Sequence, residues 1–387
     1  MAATTQMLNW LCRYALVTPV VLGRKRELSA SLLDAGSGPH GFACVDPGSP
    51  FVGMDMQFPL PAGPSMLAVR NGPGRLPFAD ASFDTVISLD VLEHVPPADR
   101  TAFVDELARV SANRVVVACP SSEMGPIDDL VRAVFVRSGQ EVPGWLSEHD
   151  EFGLPTPAEI AECCAEREGF SSRPLPVPNG LFSTMASLAD FIPEVTPHAT
   201  LEATANARQW VELFEAASFG DSWRKAYLLE RSEPAGPHVD QADLEPTLLR
   251  ALRCQACGGR LERLGPSLLR CGGCAHLVAR DTMRAWDVRP ESKSLWCSPE
   301  WRPDALSQVL RGFADLNEGN ASLQLHAPPG SIGAEDALAC AAAALDGREL
   351  PDHVDVAIVT DSPHPGPTAT VIEASALELF SQPSLRA

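Results

Sequence analysis

For its length this chain is short of positive charge and of uninterrupted apolar sequence. It carries 30 Lys and Arg against 50 Asp and Glu in 387 residues, a formal net charge of −20. Nucleic-acid phosphates are held by clustered Lys and Arg, so the balance argues against a nucleic acid as main partner, local basic patches aside. No run of about eighteen apolar residues occurs. The apolar N-terminal stretch is broken by Arg13 and Pro19, so neither a membrane span nor a secretory signal is indicated, and a cytoplasmic location is the default expectation. Disulfides are disfavoured too, because cysteines such as Cys44 and Cys119 lie in apolar strand contexts. The length suits two or three domains.

Residues 31–97 hold the densest signal that is present. Leu32 and Leu33 close a short apolar strand, and Gly36, Gly38 and Gly41 follow as GxGxxG, a turn whose missing side chains let the backbone bend and approach a ligand. Asp55 closes the next apolar stretch, FVGMD, where a doubly wound α/β fold places a carboxylate on ribose hydroxyls. A nicotinamide or flavin enzyme fits these features equally well. Asp34, two residues before the first glycine, breaks the tie, because a dinucleotide site needs no acid there while a cationic aminoacyl sulfonium welcomes one.

With LPFADASFDTVIS added, the segment resembles the class I S-adenosylmethionine-dependent methyltransferases, in the type 11-like branch with LPF-x-x-x-SFD-x-V after the third strand. The resemblance covers residues 1–235. It implies S-adenosylmethionine as cofactor, with Asp34, Gly36 and Gly38 around its methionine part, Asp55 on its ribose and Asp90, at the end of strand TVISLD, beside the sulfonium. Members often carry an acid four residues before the LPF leucine to hold the adenine amino group. This chain has Gly72 there, and Asn71 or a backbone carbonyl is the expected substitute. A doubly wound domain with a degraded pocket, a non-catalytic scaffold for a partner enzyme, is the contrasting reading.

The rest of the domain follows the same pattern. Met7, Leu8, Trp10, Leu11 and Tyr14 recur at helical spacing, which predicts a core-packed helix or one lying over the cofactor cleft. TAFVDELARV reads as an amphipathic helix and RVVVACP as a buried strand. Residues 121–148, with Pro143-Gly144-Trp145-Leu146, depart from the sheet pattern and suit a substrate wall or lid. A helix is expected from Pro157 to Glu168, ended by Gly169. One or two helices and a closing hairpin strand, KAYLLER, complete residues 181–232.

Asp90, Glu93 and His94 stand at i, i+3 and i+4, one face of a helical turn. They are similar to the E-x-x-E-H element of ubiquinone-biosynthesis O-methyltransferases and small-RNA terminal-ribose methyltransferases, in which a later histidine completes a divalent-metal site. His149, in SEHDEFGLPTPAEI, matches that histidine segment. The resemblance implies a divalent metal chelating two acceptor hydroxyls and lowering the pKa of one. A metal-free site with a histidine as general base is the alternative.

Cys254-x2-Cys257 and Cys271-x2-Cys274, separated by a Gly-containing hairpin, satisfy a closed tetrahedral zinc site of the structural kind. The segment resembles the zinc-ribbon activator proteins of tRNA and protein methyltransferases, apart from Leu277, Val278 and Thr282. The expected layout is a methyltransferase domain at 1–235, a linker at 236–250, a zinc ribbon at 251–290 and a C-terminal α/β docking module at 291–387. That module should alternate helix, strand, helix, strand, helix, the last helix being ATVIEASALELF, and it weakly resembles segments appended to bacterial glycosyltransferases. No glycine-rich phosphate turn follows its strands, so docking to a partner enzyme or self-association is expected of it.

These readings converge on a methyltransferase acting on an oxygen of a polyhydroxylated small molecule or glycan, with catalytic candidates Asp90, Glu93, His94 and His149. The runner-up acceptor is RNA or a translation-related protein, suggested by the ribbon.

Overall fold

A computed structural model describes residues 7–23, 28, 30–192, 196–233, 235, 244–281, 283–289, 294–297, 299–316, 322–327, 332, 334–345, 355–359 and 369–371. They form two compact units. The first comprises 1–55, 63–67 and 74–247, and the second 56–62, 68–73 and 248–387. The short segments 56–62 and 68–73 group with the second unit. Residues 236–243 of the expected linker lie outside the described residues.

The first unit opens with α1 (Leu8–Ala15) and α2 (Thr18–Val21). Strands β1 (Leu32–Ala35), β2 (Phe51–Asp55), the start of β3 (Met66–Arg70), β4 (Phe83–Leu89) and β5 (Ser111–Pro120) follow, with α3 (Arg100–Val110) ahead of β5. β1, β4 and β5 are buried along most of their length, as parallel strands covered on both faces must be. β1 pairs parallel with β2 (Leu33 opposite Val52) and with β4 (Leu33 opposite Val86), and β4 with β5 (Ile87 opposite Val116). Strand order therefore reverses at β1, which opens a crevice beyond the carboxyl ends of β1 and β4. Gly36 and Asp90 come directly after those ends.

The insertion folds as two helices, α4 (Gly125–Arg137) and α5 (Gly144–Phe152). α6 (Pro157–Cys163) begins at a capping box between Thr156 and Glu159 but stops five residues before the expected Glu168. The Arg167 side chain donates to the carbonyls of Cys163 and Ala165 at 2.7 and 3.2 Å, satisfying the helix end, and Gly169, at φ 79°, closes the turn into β6 (Phe170–Pro174). Three helices follow where one or two were expected: α7 (Gly180–Phe191), α8 (Thr196–Ala205) and α9 (Ala207–Ala216). β7 (Arg224–Arg231) is the expected closing strand, antiparallel to both β5 and β6.

α10 (Leu244–Ala251) begins at the end of the first unit, and in the second unit it is followed by β8 (Leu261–Gly265), β9 (Leu268–Cys271), β10 (Leu277–Arg280) and β11 (Ala285–Asp287), an antiparallel meander. β11 also pairs parallel with Ala68–Arg70 of β3. A four-stranded parallel sheet follows, with β12 (Ser294–Cys297), β13 (Ser322–His326), β14 (Asp355–Val359) and β15 (Ala369–Val371) in the order β14-β13-β12-β15. Helices α11 (Pro303–Leu316) and α12 (Ala334–Leu345) connect its strands. Leu268, Leu277 and Ala279 of the meander share one core with Leu295, Leu306, Phe313, Leu323 and Leu325. β12 was not anticipated, and Ala369–Val371 is a strand where a helix was expected. Residues 372–380 of that helix lie outside the described residues. Thr370 pairs opposite Leu295 and Val371 opposite Trp296 in the parallel register with β12. No helix among the described residues is long and apolar enough to cross a membrane.

Candidate functional site

Each glycine of the turn has a physical requirement. Gly36 stands at φ 87° and Gly38 at φ 55°, and a Cβ on Gly36 would come within 2.1 Å of Val91 Cγ2. The amides of Gly36 and Ser37 donate to the Met54 carbonyl, and Gly38 N donates to Asp55 Oδ2 at 2.8 Å. Asp55 thus braces the turn as well as standing at the end of β2. Asp34 is fully buried in β1. Tyr14 of α1 donates to its Oδ2 at 2.8 Å, and its Oδ1 has no partner. Burial raises its pKa to about 7, against the lowering effect of the Tyr14 and Phe42 hydrogen bonds. An orphaned, buried carboxylate oxygen beside a glycine turn fits a ligand ammonium. Asn71, just after β3, is buried and belongs to the second unit.

Asp90 departs from expectation. It follows β4 in a left-handed conformation, φ 54°, and accepts from Arg224 Nε and Nη2 at 2.8 and 2.6 Å. Arg13 Nε of α1 lies 3.0 Å from its Oδ2. Burial alone would push the carboxyl up, but the two guanidiniums, Arg224 above all, hold it below the usual range. Its charge is committed to protein cations, so it does not join the histidines as a fourth free ligand.

The remaining three candidates do come together. A 3-10 turn at Leu92–His94 carries Glu93 and His94, and α5 packs against it with His149. One ligand-type atom from each of Glu93, His94 and His149 lies within 4.8 Å of the others. The two imidazoles stack at 5.0 Å between centroids. Burial, then the neighbouring His149, lowers the pKa of His94 to about 4. Burial and the nearby Asp90 push Glu93 well up, and its Oε2 has no partner. His149 Nδ1 is 2.8 Å from Asp128 Oδ2, while Glu148 Oε2 lies 2.7 Å from His94 Nδ1, at ion-pair distance without hydrogen-bond alignment. The contacts made by Tyr14, Arg13, Asp128, Glu148 and Arg224 escaped the sequence reading; Tyr14 was read only as part of a helical pattern and Glu148 only as a neighbour of His149, and most reach the site from distant segments.

In the second unit the sulfurs of Cys254, Cys257, Cys271 and Cys274 all lie within 4.8 Å of one another, with Cys254 to Cys274 at 3.6 Å and Cys257 to Cys271 at 3.4 Å. A tetrahedron of zinc–sulfur bonds of about 2.3 Å sets its sulfurs about 3.8 Å apart, so the set fits zinc. Gly259 lies against it, since a Cβ there would meet Cys271 Sγ at 2.9 Å and Cys257 Sγ at 3.2 Å.

Residues 33–119 match the family described as a methyltransferase domain. The matched span runs from β1 to β5 and contains the glycine turn, Asp55, Asp90, Glu93 and His94. Residues 33–119 thus carry a methyltransferase domain, and the protein is an S-adenosylmethionine-dependent methyltransferase. Among solved structures it is similar to the plantazolicin methyltransferase BpumL in complex with S-adenosylhomocysteine, at 11% identity, covering 58% of this chain and 84% of that one, TM-score 0.33. It is similar also to magnesium protoporphyrin IX methyltransferase from Synechocystis PCC 6803, at 14% identity, 58% and 84% coverage and TM-score 0.33. A third is the complex between the Haloferax volcanii Trm112 methyltransferase activator and a protein described as a methyltransferase, at 15% identity, 58% and 90% coverage and TM-score 0.32. All three TM-scores are below 0.5, so these likenesses do not reach acceptor or partner. No curated protein matches the sequence.

Proposed function

We propose that the enzyme methylates an oxygen of a polyhydroxylated small molecule or glycan. The observation that carries this is the buried cluster of Glu93, His94 and His149 next to the β4 end of the cofactor crevice. When bound, S-adenosylmethionine supplies an electrophilic methyl. Asp34 would take its ammonium, the Gly36–Gly38 backbone would admit its methionine part, and Asp55 would hold its ribose. The acceptor oxygen bonds to the methyl as the carbon–sulfur bond breaks, and the acceptor proton leaves to a base. The chain's main contribution is holding the reacting atoms at attack distance. In one version His94 or His149 takes the proton; His94, with its pKa lowered to about 4, is neutral but only weakly basic near neutral pH. In the other, Glu93, His94 and His149 hold a divalent cation that lowers the acceptor hydroxyl's pKa. Asp90 is excluded as a ligand by Arg224 and Arg13. Two imidazoles with one carboxylate then suit zinc or manganese-type ions better than magnesium, which takes oxygen ligands.

The four-cysteine cluster favours a second reading, in which the acceptor is RNA or a translation-related protein. We assign the cysteines a structural zinc, residues 291–387 a docking or self-association role, and the enzyme a cytoplasmic location. A methyl-transfer assay across sugar, phenolic, RNA and protein acceptors decides between the readings. His94→Ala and His149→Ala should each lower transfer by about 10²- to 10⁴-fold while calorimetry still shows S-adenosylhomocysteine binding. Full transfer in both variants would overturn the histidine roles. Loss on chelation, restored by manganese or zinc, selects the cation version.

A further inference from the structure

We propose that Asp128 is a positioning residue that fixes His149 in the tautomer with the proton on Nδ1, so that Nε2 presents a lone pair to the acceptor end of the site; this rests on the histidine cluster being the acceptor-activating site. The chemistry follows from the donor inventory. A neutral imidazole has one N–H and one lone pair, and a carboxylate only accepts. With Asp128 Oδ2 at 2.8 Å from Nδ1, the proton belongs on Nδ1 and the lone pair on Nε2. Both residues are buried, which strengthens the interaction and raises the cost of the other tautomer.

Neighbouring rings fix the plane. His94 stacks on His149 at 5.0 Å and 29°, and Trp145 meets it edge-on at 5.3 Å. A purely architectural Asp–His pair should have its remaining polar atoms satisfied, as most buried polar groups are. Here His149 Nε2, Asp128 Oδ1 and Glu93 Oε2 are all buried without a partner. The arrangement is that of a carboxylate holding an imidazole so that its other nitrogen meets a proton or a cation. Asp128 comes from α4 and His149 from α5, so the insertion after β5 builds both halves of the pair. That gives the segment a role in the chemistry beyond walling the acceptor.

The test uses the full-length enzyme labelled with ¹⁵N histidine. Long-range imidazole correlations should show His149 protonated on Nδ1 at neutral pH in the wild type, with no variant needed. In Asp128→Asn the amide can donate to Nδ1, so the Nε2-protonated tautomer should rise. Methyl transfer should then fall about 10- to 100-fold, with S-adenosylhomocysteine affinity unchanged, and Asp128→Glu should recover part of the rate. An Nε2-protonated His149 in the wild type overturns the proposal. So does wild-type transfer in Asp128→Asn beside an inactive His149→Ala, a pattern that leaves the site reading standing. If His149→Ala is itself fully active, the site reading fails and takes this role with it.

Discussion

Replacing Asp90 by alanine should cost the fold far more than it costs cofactor electrostatics. The Asp90 carboxylate is the anion for Arg224, whose side chain is 1% exposed, through two hydrogen bonds of 2.8 and 2.6 Å, and Arg13 approaches it at 3.0 Å. Without Asp90, the Arg224 guanidinium stays buried against the Trp223 ring, 4.7 Å from its centroid, and loses both hydrogen bonds to its carboxylate partner. Removing one partner of a buried pair typically costs about 3–5 kcal/mol, because the survivor's lost hydration is no longer offset. For a unit of this size each kcal/mol moves Tm by about 2–4 °C, so Asp90→Ala should melt about 6–20 °C below the wild type at pH 7. Asp90→Ala/Arg224→Met removes both charges and should recover part of that loss, with a coupling of about 0.5–3 kcal/mol in the double-mutant cycle. The sign with pH follows from the depressed Asp90 pKa. The stabilisation is present above the ordinary carboxyl pKa of about 4 and is lost as pH falls below it, so wild type and Asp90→Ala should converge in acid. Thermal melting by circular dichroism reads all three. A Tm for Asp90→Ala within about 2 °C of wild type, or a double variant no more stable than the single, would refute the reasoning.

Two further outcomes are expected. Asp34, with its pKa raised to about 7, is mostly protonated at pH 6, and an ammonium favours its ionised form, so S-adenosylmethionine binding should release close to one proton at pH 6 and little at pH 8; calorimetry in buffers of different ionisation heat measures this, and Asp34→Asn should abolish the difference. The purified protein should carry one zinc per chain by elemental analysis, and Cys254→Ser/Cys257→Ser should lose it and unfold the cysteine-bearing unit, since structural zinc in small ribbons contributes about 10 kcal/mol or more; zinc-free protein prepared without chelator would contradict the assignment.

The features legible in the sequence were those whose requirement is local. Gly36 and Gly38 could be read because a left-handed backbone and close contact leave few alternatives to glycine. The four cysteines could be read because two knuckles at fixed spacing already describe a tetrahedron. The helical face expected for Asp90, Glu93 and His94 reduces to a 3-10 turn at Leu92–His94, with Asp90 outside it in a left-handed conformation. What escaped is long-range. Nothing around Arg224 marks it as the partner of Asp90, 134 positions away, and nothing around Asp128 ties it to His149, because such pairs exist only after the helices pack. Helix α6 was read too long for a related reason. The Arg167 side chain folds back on the helix end, and helical periodicity does not register that contact. The strand Ala369–Val371 was read as helix because its short apolar run fits either periodicity until a neighbouring strand decides it.

Helix α1 shows what such long-range dependence means for the order of assembly. Its first free amides, Leu8 N and Asn9 N, are capped by the Asp190 carboxylate at 3.1 and 2.7 Å, 182 and 181 positions away, and it packs against α7 and α9. Eight residues are too few for a helix to persist alone in water. At ribosomal rates, roughly 10–40 s separate the synthesis of Leu8 from that of Asp190. The stretch that supplies Tyr14 to Asp34 and Arg13 to Asp90 is therefore made early and docked late. The glycine turn and its acids emerge from the ribosome without the helix that later covers them, so a nascent chain arrested before α7 would display an uncovered cofactor turn.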